Sequence, residues 1–219
     1  MAIIPDGNRR YAQKERIPLS LAYERACDKV ESVLDWALES KRVDEVTIWG
    51  LSTENFTRDA DQLKLLNDIF IKNFEKLIGS EKIYKNRVRV RVVGKREMLD
   101  KKLVGLIEKT EEATRFNNAF SLNIALAYGG RQEILNAVAK ALQQGEGVTE
   151  DSIQKNLYVT RNPDLIIRTS GVQRLSGYLA WQSGYSELYF SKQLWPEFSR
   201  DEFFKALEFY DSTKRNFGR

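Results

Sequence analysis

The chain has 219 residues, 35 basic and 31 acidic, with 42% hydrophobic and 30% charged residues, enough for one sizeable core or two small domains of globular type. The formal net charge of +4 suits anionic small molecules or a weak attraction to membrane surfaces, and does not by itself indicate nucleic acid. No histidine is present and Cys27 is the single cysteine, which excludes Ser–His and Cys–His triads, His-ligated metals, intrachain disulfides and cysteine-built metal centres.

The remaining chemistry belongs to carboxylates, amides, hydroxyls, arginines and hard cations such as Mg2+. No apolar stretch approaches the roughly 20 residues that span a bilayer, and no charged-then-apolar signal opens the chain, so a cytoplasmic location is expected.

Ala2–Ile4 reads as a short buried strand that runs into Pro5-Asp6-Gly7-Asn8-Arg9-Arg10. A carboxylate for a metal, a glycine for close backbone approach and two guanidinium groups for an anion make this a candidate site. Asp-Gly-Asn also occurs in turns for backbone reasons alone, and the stretch by itself leaves both readings open. Leu21 to Leu38 has apolar residues at helical spacing, and Cys27 reads there as a small core residue. Glu45–Leu51 is rich in β-branched and aromatic residues and reads as a strand, with the polar run Ser52–Arg58 as its outlet.

Leu63–Ile78 is an amphipathic helix, whose apolar face fits a packed core, the default, or the wall of an apolar tunnel, which periodicity alone does not separate. Val88–Val93 alternates strictly, as a strand with one polar face does, and Gly94 ends it. A helix is expected over Glu97–Thr114, a strand over Phe120–Tyr128 closed by Gly129-Gly130-Arg131, and a helix over Glu133–Leu142. Gln143–Gly147 is a loop and a weak domain-boundary candidate. Thr149 is placed to cap a helix over Asp151–Leu157. Asp164–Ile167 reads as a strand with Arg168-Thr169-Ser170-Gly171 as its outlet, Leu188–Phe190 as a last short strand, and Asp201–Tyr210 as a terminal helix.

Alternating strands and helices predict an α/β fold, a single domain over residues 1–219 with a central, mostly parallel six-stranded sheet flanked by helices. Ligands of such sheets sit outside the carboxyl ends of the strands, where Asp6–Arg10, Ser52–Arg58, Gly129–Arg131 and Arg168–Ser176 would converge. Neither a P-loop nor a G-x-G-x-x-G turn occurs. Arg168 and Arg174, among Thr169, Ser170, Gly171 and Ser176, suit a diphosphate held by side chains and turn amides; the alternative is that they are surface arginines in a loop, against which Arg168 directly follows the apolar run Leu165–Ile167.

Ile3–Ala12 resembles the opening motif of the cis-prenyltransferases, the undecaprenyl diphosphate synthase family. So do Leu51–Phe56, Val88–Gly94, Leu122–Ala125 with Tyr128–Arg131, and Asp164–Gly171. Gln173–Ser176, Leu179–Gln182, Glu187–Phe190 and Leu194–Pro196 complete a resemblance that covers nearly the whole chain in order.

The resemblance implies Mg2+-assisted extension of an allylic prenyl diphosphate by isopentenyl diphosphate, with Z double bonds. Asp6 and Asn55 are then the catalytic positions, with Asp6 holding Mg2+ and Glu187 adding a carboxylate to the metal region. Gly7, Asn8, Arg9 and Arg10 would cradle the allylic diphosphate; Arg168, Arg174 and Ser176 would bind isopentenyl diphosphate; Ser52, Asn55 and Arg58 would line the reacting centre. Tyr11, Tyr23, Thr53, Glu54, Phe56 and Leu175 are carried with them as substrate-binding positions. A neutral amide is a poor base, so Asn55 is assigned an orienting role, with Asp6 or a diphosphate oxygen as the final proton acceptor.

The helix Leu63–Ile78 becomes one wall of an apolar tunnel for the growing chain, with sheet residues opposite. The resemblance also implies a homodimer, no nucleic acid, and peripheral membrane contact through the lipid product. The C-terminal run from Lys214 to Arg219 resembles a family ending that can reach a neighbouring subunit's site, and equally fits a frayed terminus.

Several positions depart from the bacterial pattern: Pro5 for methionine, Leu19 and Tyr23 for an arginine and a histidine, Val172 for a glutamate and Ala127 for an asparagine. Phe120 stands where a smaller leucine is common at the far end of the tunnel, which predicts a product shorter than undecaprenyl. Two other readings are a prenyltransferase using another acceptor and a non-catalytic subunit of a heteromeric synthase. Subunits of the latter kind lose the opening motif, which here retains Asp6, Asn8 and Arg10.

Overall fold

Strand-forming runs pair throughout in parallel: β1 (Ala2–Ile4), β2 (Glu45–Trp49), β3 (Val88–Val93), β4 (Phe120–Ala125), β5 (Leu165–Arg168) and β6 (Glu187–Phe190). The sheet order is β3-β4-β2-β1-β5-β6, and every pairing is parallel rather than most of them. The computed structural model describes residues 1–57 and 59–214, and these form a single α/β domain.

Eight α-helices lie among the described residues: α1 (Asn8–Glu15), α2 (Leu19–Ser40), α3 (Ala60–Ile78), α4 (Glu81–Lys85), α5 (Lys101–Thr114), α6 (Gly130–Gln143), α7 (Glu150–Asn156) and α8 (Arg200–Ser212). A parallel sheet covered on both faces reads as unbroken apolar runs, and β1 and β5 are buried at every position. On one face, Val46, Ile48, Val90, Phe120 and Leu122 pack with α2 and α8 residues in the main core. On the other face, Ala2, Ile4, Ala125 and Ile166 pack with Tyr128, Tyr178 and Leu179.

Three boundaries differ from the sequence expectation. Gly7, at φ 110°, turns the chain straight into α1, so the opening motif is a strand, a one-residue corner and a helix rather than a strand and an extended turn. The helix expected from Glu97 begins at Lys101, because the Asp100 side chain accepts the amides of Lys102 and Leu103 and caps it there. Strand β4 stops at Ala125 rather than Tyr128, since Ala127 at φ 48° is left-handed. Asparagine and glycine tolerate that conformation best, so alanine there carries backbone strain. Helix α4 was not expected from the sequence. Thr149 caps α7 as expected, in a reciprocal capping box with Ser152.

β1 sits between β2 and β5, so the chain leaves β1 toward one side of the sheet and later returns on the other. The outlets of β1 and β5 therefore diverge and leave a crevice at their carboxyl ends. No helix among the described residues is long and apolar enough to cross a membrane.

Candidate active site

The outlets of β1, β2 and β5 enclose a cavity of about 510 Å3. Its walls include Asp6, Gly7, Asn8, Arg9 and Arg10 from the first outlet, Ser52 and Asn55 from the second, and Arg168 and Arg174 from the third. Tyr23 of α2 also reaches it. Ten of the positions expected from the sequence thus meet in one place.

Local bonding holds the first corner. The Thr169 hydroxyl accepts from the Asp6 amide at 2.9 Å and donates to the Asp6 carbonyl at 2.7 Å, tying the two outlets together. The first intrahelical bond of α1 runs from the Tyr11 amide to the Gly7 carbonyl at 2.8 Å. The amides of Asn8, Arg9 and Arg10 then open the helix, as the first amides of any helix do, and their partial positive charge favours an anion.

Arg168 is almost wholly buried. Its guanidinium donates to Asp6 Oδ2 at 2.8 Å, to Ser176 Oγ at 3.0 Å and to the Arg174 carbonyl. Arg10 lies 3.6 Å from Asp6 and donates to the Ser170 carbonyl at 3.1 Å. Burial by itself raises the Asp6 carboxyl. The bond from Arg168, the neighbouring Ser170 hydroxyl and the charges of Arg168 and Arg10 outweigh it and hold the group below its ordinary value. Arg9 donates to Gln62 of α3 at 2.6 Å, and Arg174 is exposed at the cavity rim.

Asn55 Oδ1 accepts the Ser52 amide at 3.2 Å. With the oxygen engaged by a backbone donor, the end of the carboxamide left for a ligand is its NH2, a donor only.

A second, apolar cavity of about 150 Å3 lies beneath, between α2, α3 and the sheet. The two cavities share Pro5, Asn8, Tyr23, Trp49, Gly50 and Leu66. Leu66, Ile69, Phe70, Phe74 and Leu77 of α3 face Ile48, Leu122 and Ile124 across it, so the helix read as core by periodicity lines a hollow. Cys27 lines it as well, its thiol pushed up to about 12 chiefly by burial, which leaves it inert.

Several expected positions lie elsewhere. Tyr11 is 8% exposed on the far side of α1, packed with Ala12 and Ala22 and accepting from Arg25. Glu187 begins β6 opposite Leu165, whereas Arg168 pairs with Phe190. The parallel register puts Glu187 at the amino end of β6, away from Asp6 at the carboxyl end of β1, and Glu187 does not line the cavity.

Thr53, Glu54 and Phe56 fall in a short 3-10 helix and do not line the cavity: Glu54 is exposed and Phe56 packs against the cluster around Leu66. Leu175 packs with the Tyr178 cluster, and Ser176 acts on Arg168 rather than lining the space. Gly129–Arg131 opens α6 instead of converging on the site. Arg58 and the tail from residue 215 lie outside the described residues. Trp49 and Gly50, absent from the expected site positions, line both cavities together with Leu66 of the expected tunnel wall; the abrupt end of an apolar strand at Trp49-Gly50 is the signal that marks them.

Asp6 and the Asn8 side-chain oxygen, which is buried without a hydrogen-bond partner, are hard oxygen donors in the same cavity. No group of three or more acidic, histidine or cysteine residues that could hold a metal occurs among the described residues. One carboxylate and one amide oxygen fit Mg2+ when the phosphate oxygens of a substrate complete its shell.

The pattern of the family described as putative undecaprenyl diphosphate synthase matches residues 4–218. An isoprenyl transferase of Thermus thermophilus is 40% identical over 232 residues, spanning all of this chain and 88% of the relative. A tritrans,polycis-undecaprenyl-diphosphate synthase (geranylgeranyl-diphosphate specific) of Thermoplasma acidophilum is 40% identical over 228 residues, again over all of this chain and 88% of the relative. The crystal structure of lavandulyl diphosphate synthase from Lavandula x intermedia, in complex with dimethylallyl diphosphate, superimposes with a TM-score of 0.86 at 26% identity, covering all of this chain and 97% of that one. The chain belongs to the undecaprenyl diphosphate synthase family, the cis-prenyltransferases.

Proposed function

We propose that this protein condenses an allylic prenyl diphosphate with isopentenyl diphosphate, in the presence of Mg2+, to give a Z-configured polyprenyl diphosphate for lipid-carrier synthesis. The observation that carries the proposal is the junction of the two cavities: a cationic one at the strand ends opens through six shared residues into an apolar one. A molecule with a diphosphate head and a hydrocarbon tail matches both halves at once.

The α1 amides with Arg9 and Arg10 receive the allylic diphosphate, and Arg174, on the loop that Arg168 holds, receives the second. Asp6 and Asn8 would hold Mg2+ against a diphosphate, where the ion neutralises charge on the departing group. Departure leaves an allylic cation; the alkene of isopentenyl diphosphate attacks it and a proton is lost. The apolar wall excludes water from that cation. Asn55 orients the reactants through its NH2 end. A carboxylate held below its ordinary pKa is a poor acceptor, so a diphosphate oxygen is preferred over Asp6 for the final proton.

A product shorter than undecaprenyl belongs to the same reading; it rests on the bulk of Phe120, which is buried beside Leu122 of the cavity wall. Function as a homodimer and peripheral membrane contact by the emerging lipid belong to the same reading.

The similarity to lavandulyl diphosphate synthase supports a second reading, transfer of an allylic group to an acceptor other than isopentenyl diphosphate. Purified protein with Mg2+ and allylic diphosphates of several lengths, with and without isopentenyl diphosphate, separates the two by product mass. Products growing in five-carbon steps only when isopentenyl diphosphate is present are expected. Coupled products formed without it would establish the second reading, and no product in either case would refute both.

A further inference from the structure

Glu133, in the first turn of α6, is the one fully buried acid among the described residues, at 1% exposure. No cation among them lies within ion-pair distance of it. Neutral donors surround it instead. Its Oε1 accepts the amides of Tyr158 and Val159 at 2.8 and 3.2 Å and the Gln182 carboxamide at 3.1 Å. Its Oε2 accepts the Tyr128 hydroxyl. The positive end of α6 favours the same charge. A buried carboxylate is costly even when its bonds are made, and this one lines neither cavity.

Two of these partners connect Glu133 to the segment that follows Arg174. Gln182 opens the 3-10 helix Gln182–Tyr185, and its carboxamide also donates to the Val159 carbonyl at 2.9 Å. The Leu179 amide is a further neighbour of the Tyr128 hydroxyl, and the Tyr128 and Tyr178 rings meet edge to face at 5.7 Å.

The segment itself has an exposed part and a buried base. Gln173, Arg174, Ser176 and Gly177 are exposed, whereas Tyr178, Leu179 and Gln182 are buried. Ser176, Gly177 and Leu179 are left-handed, at φ 52°, 80° and 46°. For a serine and a leucine that backbone is strained, and it persists only where the surroundings over-determine it. Arg168 supplies the constraint on one side, through the Arg174 carbonyl and the Ser176 hydroxyl. Glu133 supplies it on the other, through Tyr128 and Gln182.

We propose that Glu133 is a positioning residue, whose buried carboxylate fixes the strained base of the loop that presents Arg174 to the second diphosphate. The inference rests on the reading that Arg174 receives isopentenyl diphosphate. Glu133→Gln tests it, because the side chain keeps its shape while one end of a carboxamide can only donate. All four of its neighbours are donors, so one of them loses its acceptor.

Two readouts are compared. The first is native-state trypsin digestion, followed by mass spectrometry at the Arg174–Leu175 bond. Cleavage there should quicken about ten-fold in Glu133→Gln, the effect of one buried donor left unpaired, while cleavage at the exposed Arg115–Phe116 bond stays as it was. The second is steady-state kinetics with each substrate varied in turn. The KM for isopentenyl diphosphate should rise about ten-fold and that for the allylic substrate by less than about two-fold. Tyr128→Phe should give the same pattern, and adding it to Glu133→Gln should cost nothing more, since both remove one shared bond. Leu207→Ala, in the main core, should lower Tm and leave both KM values unchanged.

Unchanged cleavage at Arg174 in Glu133→Gln overturns the proposal. So do two KM values that rise together, or the same split in Leu207→Ala. If circular dichroism shows that Glu133→Gln fails to fold, Tyr128→Phe carries both readouts. Failure of the functional reading is distinguishable: no condensation by the unmodified protein, with faster cleavage at Arg174 in Glu133→Gln, removes the elongation reading and supports Glu133 as the anchor of the loop.

Discussion

Asp6 and Arg168 meet at 2.8 Å across the adjacent strands β1 and β5, the arginine buried and the carboxylate open to the cavity. One guanidinium thereby organises both half-sites, since it also holds Ser176 and the Arg174 carbonyl. Arg168→Lys keeps the charge but cannot reach three partners with a planar fork. A loss of roughly 1–3 kcal/mol in urea denaturation is expected. The KM for isopentenyl diphosphate should rise more than that for the allylic substrate, because the loop carrying Arg174 is what loosens. Equal rises in both would count against this division of labour.

The lowered pKa of Asp6 sets a pH window. A carboxyl with a folded-state pKa below its unfolded value contributes stability that is fully present above the unfolded value, 3.8, and is lost as pH falls through the lowered folded value. The Tm difference between the unmodified protein and Asp6→Asn should be constant from mildly acidic pH upward and shrink only in strong acid. A difference that instead grew on acidification would reverse the sign of the coupling. Turnover by Asp6→Asn should be abolished with the fold intact.

Asn55→Asp keeps an acceptor for the Ser52 amide and replaces the donor end by a negative oxygen. Turnover should fall because the new charge repels diphosphate, while the circular dichroism spectrum stays as it was. A faster variant with a new acidic limb in its pH–rate profile would show that the position serves as a base.

Gly130 opens α6 directly against the loop that carries Arg174. A Cβ there would stand 2.0 Å from the Gly177 carbonyl oxygen, closer than any real contact. Gly130→Ala should displace that loop, lowering kcat/KM for isopentenyl diphosphate by about ten-fold or more, in line with the effect of misplacing a binding group by about 1 Å. The KM for the allylic substrate, held from β1 and α1, should change far less. Steady-state kinetics varying each substrate in turn check this.

The elements were legible because their signals are local. Alternation in Val88–Val93, β-branched runs in β2 and β5 and helical spacing in α2 and α3 follow from two fixed periodicities. Boundaries were less so. Ala127 in a left-handed conformation and the Asp100 cap ended or delayed elements by a single residue's dihedral or side-chain bond, which a periodic pattern averages away. Asp6, Asn55, Arg168 and Arg174 were recognisable because outlets at the carboxyl ends of parallel strands converge whatever their spacing in the chain.

By itself the sequence determined the fold class, the chemistry excluded by a chain without histidine, and the polar residues at each strand outlet. Register and helix phase decided the rest. They sent Glu187 to the opposite end of the sheet, turned Tyr11 away from the cavity, buried Arg168 against Asp6, and left a hollow where α3 packs over β2 and β4. The physical reason is range. Periodicity and capping act over a few residues, whereas a strand's register and the gap between two helices depend on side chains more than a hundred positions apart, such as Asp6 and Arg168.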